Sequence, residues 1–327
     1  MNNNISTLAR TLTLEVARVT EVAAMAAARL RGRGDEKEAD RVAVDAMRSA
    51  LNQMDIDGTV VIGEGERDEA PMLYIGEKVG TGNGPRVDIA LDPLEGTTLC
   101  AKAMPNSLAV IAIAEGGSML HAPDSYMDKI AIGGGYAPGL VDLDLSPREN
   151  VKRLAEAKGV PMSSITACVL DRPRHADIIA SLRNAGVSVH LITDGDVAGI
   201  IHTADPEETG IDIYMGTGGA PEGVLAAAAL RCIGGQMQGR LVIKNDEQRE
   251  RMIRMGIADP TRKFELEDLA SGDVMFAATG VTDGSMLSGV RFNRDNIVTH
   301  SVVMRSKTGT VRWITGHHST SKLPPIA

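Results

Sequence analysis

The heptapeptide Asp92-Pro-Leu-Glu-Gly-Thr-Thr98 carries the densest chemistry in the sequence. Two carboxylates three residues apart, with a rigid proline between them, can supply oxygen ligands to a hard divalent cation. Gly96 and Thr97 fall where a helix is expected to open, so their backbone N–H groups could also face a phosphate. An ordinary helix cap uses the same residue types, because Asp and Thr are common helix starters. A second acidic turn, Gly63-Glu-Gly-Glu66, shifts the balance toward a pair of nearby cations, its glycines allowing backbone to approach a ligand closely. Taken alone it would be a solvated loop. Asp40, in Lys37-Glu-Ala-Asp40, would likewise be a solvated helix residue unless it joins the other carboxylates.

Glu222 closes Gly218-Gly-Ala-Pro-Glu222 just ahead of an apolar helix, where Pro221 and an acidic first turn suit helix geometry, so a structural cap explains it as well as metal ligation does. The glycines are no nucleotide loop: Pro221 stands where GxGxxG demands Gly, and no Walker A sequence occurs. Arg172-Pro-Arg174 and Asp194-Gly-Asp196 each follow an expected strand, the place where open α/β sheets bind ligands. Arginine forks suit phosphate and aspartates suit sugar hydroxyls, though either segment also reads as a turn with a surface ion pair. His175, like the other histidines, has no partner at metal-ligand spacing and is assigned no role.

The elements that must position these residues follow from periodicity. Leu8, Leu12, Val16, Val19, Ala23, Ala26 and Leu30 recur at spacings of three and four, predicting a long amphipathic helix that ends at Arg31-Gly-Arg-Gly34. A second helix is predicted over 38–54, then strands over 59–62 and 87–91, the latter stopped by Asp92-Pro93. Strands over 108–114, 130–132 and 140–143 continue a strand-rich stretch. Helices over 147–158 and 176–185 then alternate with strands over 165–170 and 187–192, as β-α-β units do. A loop over 216–223 leads into an Ala-rich helix over 224–233, and the charged run 244–254 reads as an exposed helix. The join Gly159-Val-Pro161 divides the chain into an N-terminal α/β half, 1–160, and a C-terminal α/β half, 161–327.

Composition narrows the partners. Hydrophobic residues make up 43% and charged residues 24%, which excludes a disordered chain, while only 2% are aromatic, which argues against base stacking. A net charge of −9 would repel phosphate backbones, so no nucleic-acid partner is expected. Carboxylates gathered at metal sites can produce the same excess. Cys100, Cys168 and Cys232 form no CxxC and leave an odd count, which fits a reducing cytoplasm. The apolar runs 108–114 and 224–230 are far short of the ~20 residues a membrane span needs, and the N-terminus shows no secretory pattern.

In the blocks Gly58-Thr-Val-Val-Ile-Gly-Glu-Gly-Glu66, Asp68 to Gly82, Asp92-Pro-x-Glu-Gly-Thr97, Ala122-Pro-Asp-x-Tyr-Met127, Pro173-Arg-His175, Asp194-Gly-Asp-Val-Ala198 and Gly218-Gly-Ala-Pro-Glu-Gly223, the chain resembles the class II, GlpX-type fructose-1,6-bisphosphatases. These belong to the wider lithium-sensitive, metal-dependent sugar phosphatases. Asp-Pro-x-x-Gly-Thr marks only the superfamily; the long block from Gly58 to Gly82 is specific to the class. The resemblance implies an α/β fold of mixed sheets layered α-β-α-β-α, a homo-oligomer (dimer or tetramer), and hydrolysis of the 1-phosphate of fructose 1,6-bisphosphate. It implies that Asp40, Glu64, Asp92, Glu95 and Glu222 hold two or three Mg²⁺ or Mn²⁺ ions. Substrate contacts would come from Glu95, Gly96, Thr97, Tyr126, Arg172, Pro173, Arg174, Asp194, Gly195, Asp196 and Gly219. Thr97 and Glu66 would orient the attacking water, and by the same resemblance the half 1–160 would hold metal and phosphate, the half 161–327 sugar, with the active site between them. Sedoheptulose 1,7-bisphosphate is the rival substrate; an inositol-type phosphatase or a non-catalytic sugar-phosphate sensor is the more distant alternative. Glu36 stands where a Lys often follows Gly-Arg-Gly-Asp in the family, and the segment after Gly239-Arg-Leu241 is shorter than in enteric-type members, which is expected to bear on assembly.

Overall fold

The computed structural model describes Leu8, residues 11–65 and residues 72–322. In chain order the elements are α1 (Leu12–Ala28), α2 (Glu36–Leu51), β1 (Asp57–Ile62), β2 (Lys78–Val79), β3 (Arg86–Glu95), α3 (Thr97–Ala101), β4 (Leu108–Glu115), β5 (Tyr126–Gly133) and α4 (Pro147–Lys158). There follow β6 (Thr166–Leu170), α5 (Ala176–Asn184), β7 (Ser188–Ile192), α6 (Asp196–Ile201), α7 (Pro206–Thr209), β8 (Ile213–Gly219), α8 (Ala220–Ile233) and β9 (Gly235–Leu241). The chain ends with α9 (Asp246–Arg254), β10 (Phe264–Glu265), α10 (Leu266–Leu269), β11 (Val274–Gly280), β12 (Arg291–Phe292), β13 (Asn296–Arg305) and β14 (Thr310–Ser319). This is an α/β chain with two mixed sheets.

Two compact units divide it: Met1–Met119 with Ser271–Ala327, and Leu120–Ala270. Gly159-Val-Pro161 lies inside the second unit, where Gly159 ends α4 in a left-handed cap and Pro161 leads toward β6. A helix stop and a unit boundary use the same Gly and Pro signals.

The first unit is built on an eight-stranded sheet, ordered β12-β13-β11-β4-β3-β1-β2 with β14 on β13. Helix α1 presents Val16, Val19, Ala23 and Ala27 to a core shared with Ile111, Ile113, Met275 and Val303. Its small side chains let it contact β3, β4, β11 and β13. Asp35 caps α2 by accepting the Glu38 N–H at 3.0 Å, and α2 packs on β3 and α3. Strand β3 does not stop at Asp92-Pro93 as expected. It runs on to Glu95 through an irregularity that shifts its register with β4 between Asp92 and Glu95, which removes the ladder bond that Pro93 cannot make.

The second unit holds a six-stranded sheet, ordered β10-β9-β5-β8-β6-β7. Ile130, Ile132, Ala167, Val169, Ile213 and Met215 face Val151, Leu154 and Ala155 of α4 and Ile179 and Leu182 of α5 in one core. Residues 140–143 are not a strand: Val141 is buried, but the backbone is satisfied by side chains, Asp142 N–H donating to Asn150 Oδ1 (2.8 Å) and Leu143 N–H to Gln238 Oε1 (3.0 Å). The glycines of 216–219 belong to β8 rather than to a loop, and the Ala-rich helix begins earlier than expected, at Ala220.

Candidate active site

In the first unit, topology gathers the carboxylates. Strands β1 and β3 run parallel with Ile62 opposite Ala90, so Glu64 and Asp92 emerge at the same sheet end, and the packing of α2 on β3 brings Asp40 to them. All three are coupled electrostatically. Asp40 is raised to about 6, first by burial and then by the charge of Asp92. Glu64 is raised well above the usual carboxylate range by burial, with Asp92 and Asp40 adding repulsion. Partly buried carboxylates that repel one another are stabilised by a shared cation, and this all-oxygen set fits Mg²⁺ or Mn²⁺. Among the described residues no such group stands in closed ligation geometry, so the fit rests on chemistry and mutual repulsion.

Asp92 Oδ1 accepts the Leu94 N–H at 3.0 Å, which orients the carboxylate beside the β3 irregularity. Glu95 is buried, and its carbonyl accepts the Ser107 hydroxyl at 3.1 Å. Gly96 caps α3 with φ +76°, and a Cβ there would meet Leu99 Cδ1 at 2.8 Å, so this turn requires glycine. Thr97 Oγ1 donates to Leu94 O at 3.3 Å, which leaves its lone pairs to accept a hydrogen bond from water. Glu66 lies outside the described residues.

In the second unit, β6, β7 and β8 are parallel and β5 runs antiparallel to β8, so the ends of β6, β7 and β8 meet the start of β5. Tyr126 pairs with Gly219. Arg174 donates through Nε and Nη2 to Thr217 O at 2.9 and 2.7 Å, and its guanidinium lies 5.1 Å from the centre of the Tyr126 ring. Arg172 and Asp194 approach to 4.0 Å. Pro173 opens the turn that carries Arg174, and Gly195 takes the left-handed conformation that starts α6 at Asp196. The Glu222 carboxylate folds over Gly219, where Oε2 stands 1.8 Å from the position a Cβ would take. Asp40, Glu64, Asp92, Glu95, Gly96 and Thr97 thus belong to the first unit, and Tyr126, Arg172, Pro173, Arg174, Asp194, Gly195, Asp196, Gly219 and Glu222 to the second.

Three residues that sequence reasoning left out fix this framework. Lys129, fully buried, donates to Asp196 Oδ2 and to Gly219 O at 2.8 Å, tying two substrate segments to one strand. Tyr214 adds a hydroxyl to the same Asp196 oxygen at 3.2 Å. His175 has a role after all. Its Nδ1 lies 2.7 Å from Leu170 O and its Nε2 accepts the Thr217 N–H at 2.7 Å, so it bridges β6 and β8 beyond the last paired residues, Cys168 and Tyr214. Burial lowers its pKa and favours the neutral ring this bridge needs. The signal for Lys129 was a lone cation inside an apolar strand.

A family model described as bacterial fructose-1,6-bisphosphatase, glpX-encoded, matches residues 10–318. The D-fructose 1,6-bisphosphatase class 2/sedoheptulose 1,7-bisphosphatase of Synechococcus sp. (strain JA-3-3Ab) is 47% identical over 332 residues, covering 94% of this chain and 95% of that protein. Fructose-1,6-bisphosphatase 1 class 2 of Escherichia coli (strain K12) is 46% identical over 330 residues, covering 97% of each.

Proposed function

This chain belongs to the family of glpX-encoded bacterial fructose-1,6-bisphosphatases, and we propose that it hydrolyses the 1-phosphate of fructose 1,6-bisphosphate to fructose 6-phosphate and phosphate. The observation that carries this reading is the partly buried set Asp40, Glu64 and Asp92, whose charges repel one another, next in sequence to Glu95-Gly-Thr97. Asp40, Glu64, Asp92, Glu95 and Glu222 would hold two or three Mg²⁺ or Mn²⁺ ions. When bound, such ions neutralise charge on a transferring phosphoryl group and acidify water.

The chain's own groups do the positioning. Thr97 Oγ1, its proton engaged by Leu94 O, accepts from the attacking water and points a lone pair of that water at phosphorus; Glu66 is assigned the same water as proton acceptor. Gly96 and Thr97 N–H groups hold phosphoryl oxygens. Tyr126, Arg172, Pro173, Arg174 and Gly219 bind the substrate, and Asp194, Gly195 and Asp196 meet its hydroxyls. A homo-oligomer in the cytoplasm belongs to the same proposal. Family membership supports the first, and three buried cysteines suit the second. Among the described residues no helix is long and apolar enough to cross a membrane.

The name of the Synechococcus relative supports a second reading, in which sedoheptulose 1,7-bisphosphate is also hydrolysed. Steady-state phosphate release from both bisphosphates, in Mg²⁺ and in Mn²⁺, tests both readings. Release from the fructose ester is expected in at least one metal. An inert protein in both would leave a sugar-phosphate sensor instead.

A further inference from the structure

Tyr126 collects a second cation that no reading of the sequence assigned. Lys244 Nζ lies 4.8 Å from the centre of the Tyr126 ring, and the Arg174 guanidinium lies 5.1 Å from the same centre. Both contacts are held by backbone on either side. Val242 N–H donates to Tyr126 O at 2.9 Å, continuing β9 alongside Tyr126, and Lys244 N–H donates to Gln248 Oε1 at 2.9 Å where α9 begins. Arg174 is fixed through Nε and Nη2 on Thr217 O, and among the described residues no hydrogen bond engages its Nη1.

Two like charges are therefore brought to one partly exposed ring, and among the described residues neither forms an ion pair with a carboxylate. An aromatic face attracts cations, but it carries no net charge and cannot neutralise two of them. A phosphate dianion can: it would take a planar fork from Arg174 and a mobile point charge from Lys244.

We propose that Lys244 and Arg174, marshalled by Tyr126, clamp the phosphate of the sugar bisphosphate that is not hydrolysed, which makes Lys244 a specificity-determining residue. This rests on the bisphosphatase reading above. The segment after Leu241 thus bears on substrate recognition, where the sequence had suggested assembly. A lysine also suits substrates of differing length, because its four-carbon stem can follow a phosphate displaced by one sugar carbon.

The test compares wild type with Lys244→Met and Lys244→Arg, using fructose 1,6-bisphosphate as substrate, fructose 1-phosphate as a substrate lacking the distal phosphate, and fructose 6-phosphate as competitive inhibitor. For Lys244→Met, kcat/KM on the bisphosphate should fall roughly tenfold, mostly through KM, and the Ki of fructose 6-phosphate should rise by a similar factor. Hydrolysis of fructose 1-phosphate and inhibition by free inorganic phosphate should stay at wild-type values, and Lys244→Arg should recover most of the loss. Equal losses on the mono- and bisphosphate, or an unchanged Ki for fructose 6-phosphate, would overturn the proposal while leaving the bisphosphatase reading intact. A wild-type protein that releases no phosphate from fructose 1,6-bisphosphate removes both.

Discussion

Thr97 is the residue on which the chemistry is most exposed to test, because its hydroxyl proton is already committed to Leu94 O and only its lone pairs remain for the attacking water. Thr97→Ala should lower kcat by ~10²-fold with a much smaller change in KM, since the lost contact is made to the reacting water. An unchanged kcat in steady-state assays would remove the hydroxyl from the mechanism. Arg174→Ala should act in the opposite sense, raising KM for the bisphosphate more than it lowers kcat, if its guanidinium, braced on Thr217 O and beside the Tyr126 ring, binds substrate as proposed. Residue types placed Arg174 at a strand end suited to phosphate, and the family resemblance added the role expected of Thr97. They did not reveal Lys129 or His175, whose parts depend on which strands become neighbours: His175 matters because β6 and β8 part beyond Cys168 and Tyr214, and no local pattern encodes that parting.

Elements were legible wherever one apolar face sufficed to define them, as in α1 and α4. They were misread where other forces decided. The Asp92-Pro93 stop was a register shift within β3, and the apolar run 140–143 was a loop held by Asn150 and Gln238. At the β3–α3 turn, Gly96→Ala combines left-handed strain of ~1–2 kcal/mol with a clash at Leu99. It should therefore reduce urea-unfolding stability by at least that much and depress kcat through the displaced Glu95 and Thr97; wild-type values of both would show the turn to be indifferent to a side chain. The 3-10 turn His202–Ala204 that follows α6 carries a different signature. Burial, with His190 adding repulsion, lowers His202 to about 4. Because the folded value lies below the unfolded one near 6.5, its stabilising contribution is complete above that pH and is lost as pH falls toward 4, by about 3 kcal/mol in all. Urea unfolding between pH 7.5 and 4.5 should give His202→Gln a shallower acid loss than wild type, and parallel curves would contradict the assignment.

At the scale of the whole molecule, the chain leaves the first unit after β4, builds the second unit, and returns with β11, which pairs along β4 from Val274 opposite Ala114 to Gly280 opposite Leu108. Periodicity predicted the strand over 108–114 but not its partner, so the division of the chain was not legible from local signals. The carboxylate cluster needs only neighbouring parts of the first unit: parallel β1 and β3 with α2 packed on β3. The account stands on that cluster being a cation centre, and calorimetric titration of Mn²⁺ into wild type and Asp92→Asn, run beside phosphate release from fructose 1,6-bisphosphate, tests it most directly. The wild type should bind Mn²⁺ and require it or Mg²⁺ for turnover, while Asp92→Asn, folded to the same extent, should bind at least tenfold more weakly and lose activity with the metal. Equal Mn²⁺ binding by the two proteins, or full turnover in the presence of chelator, would contradict it.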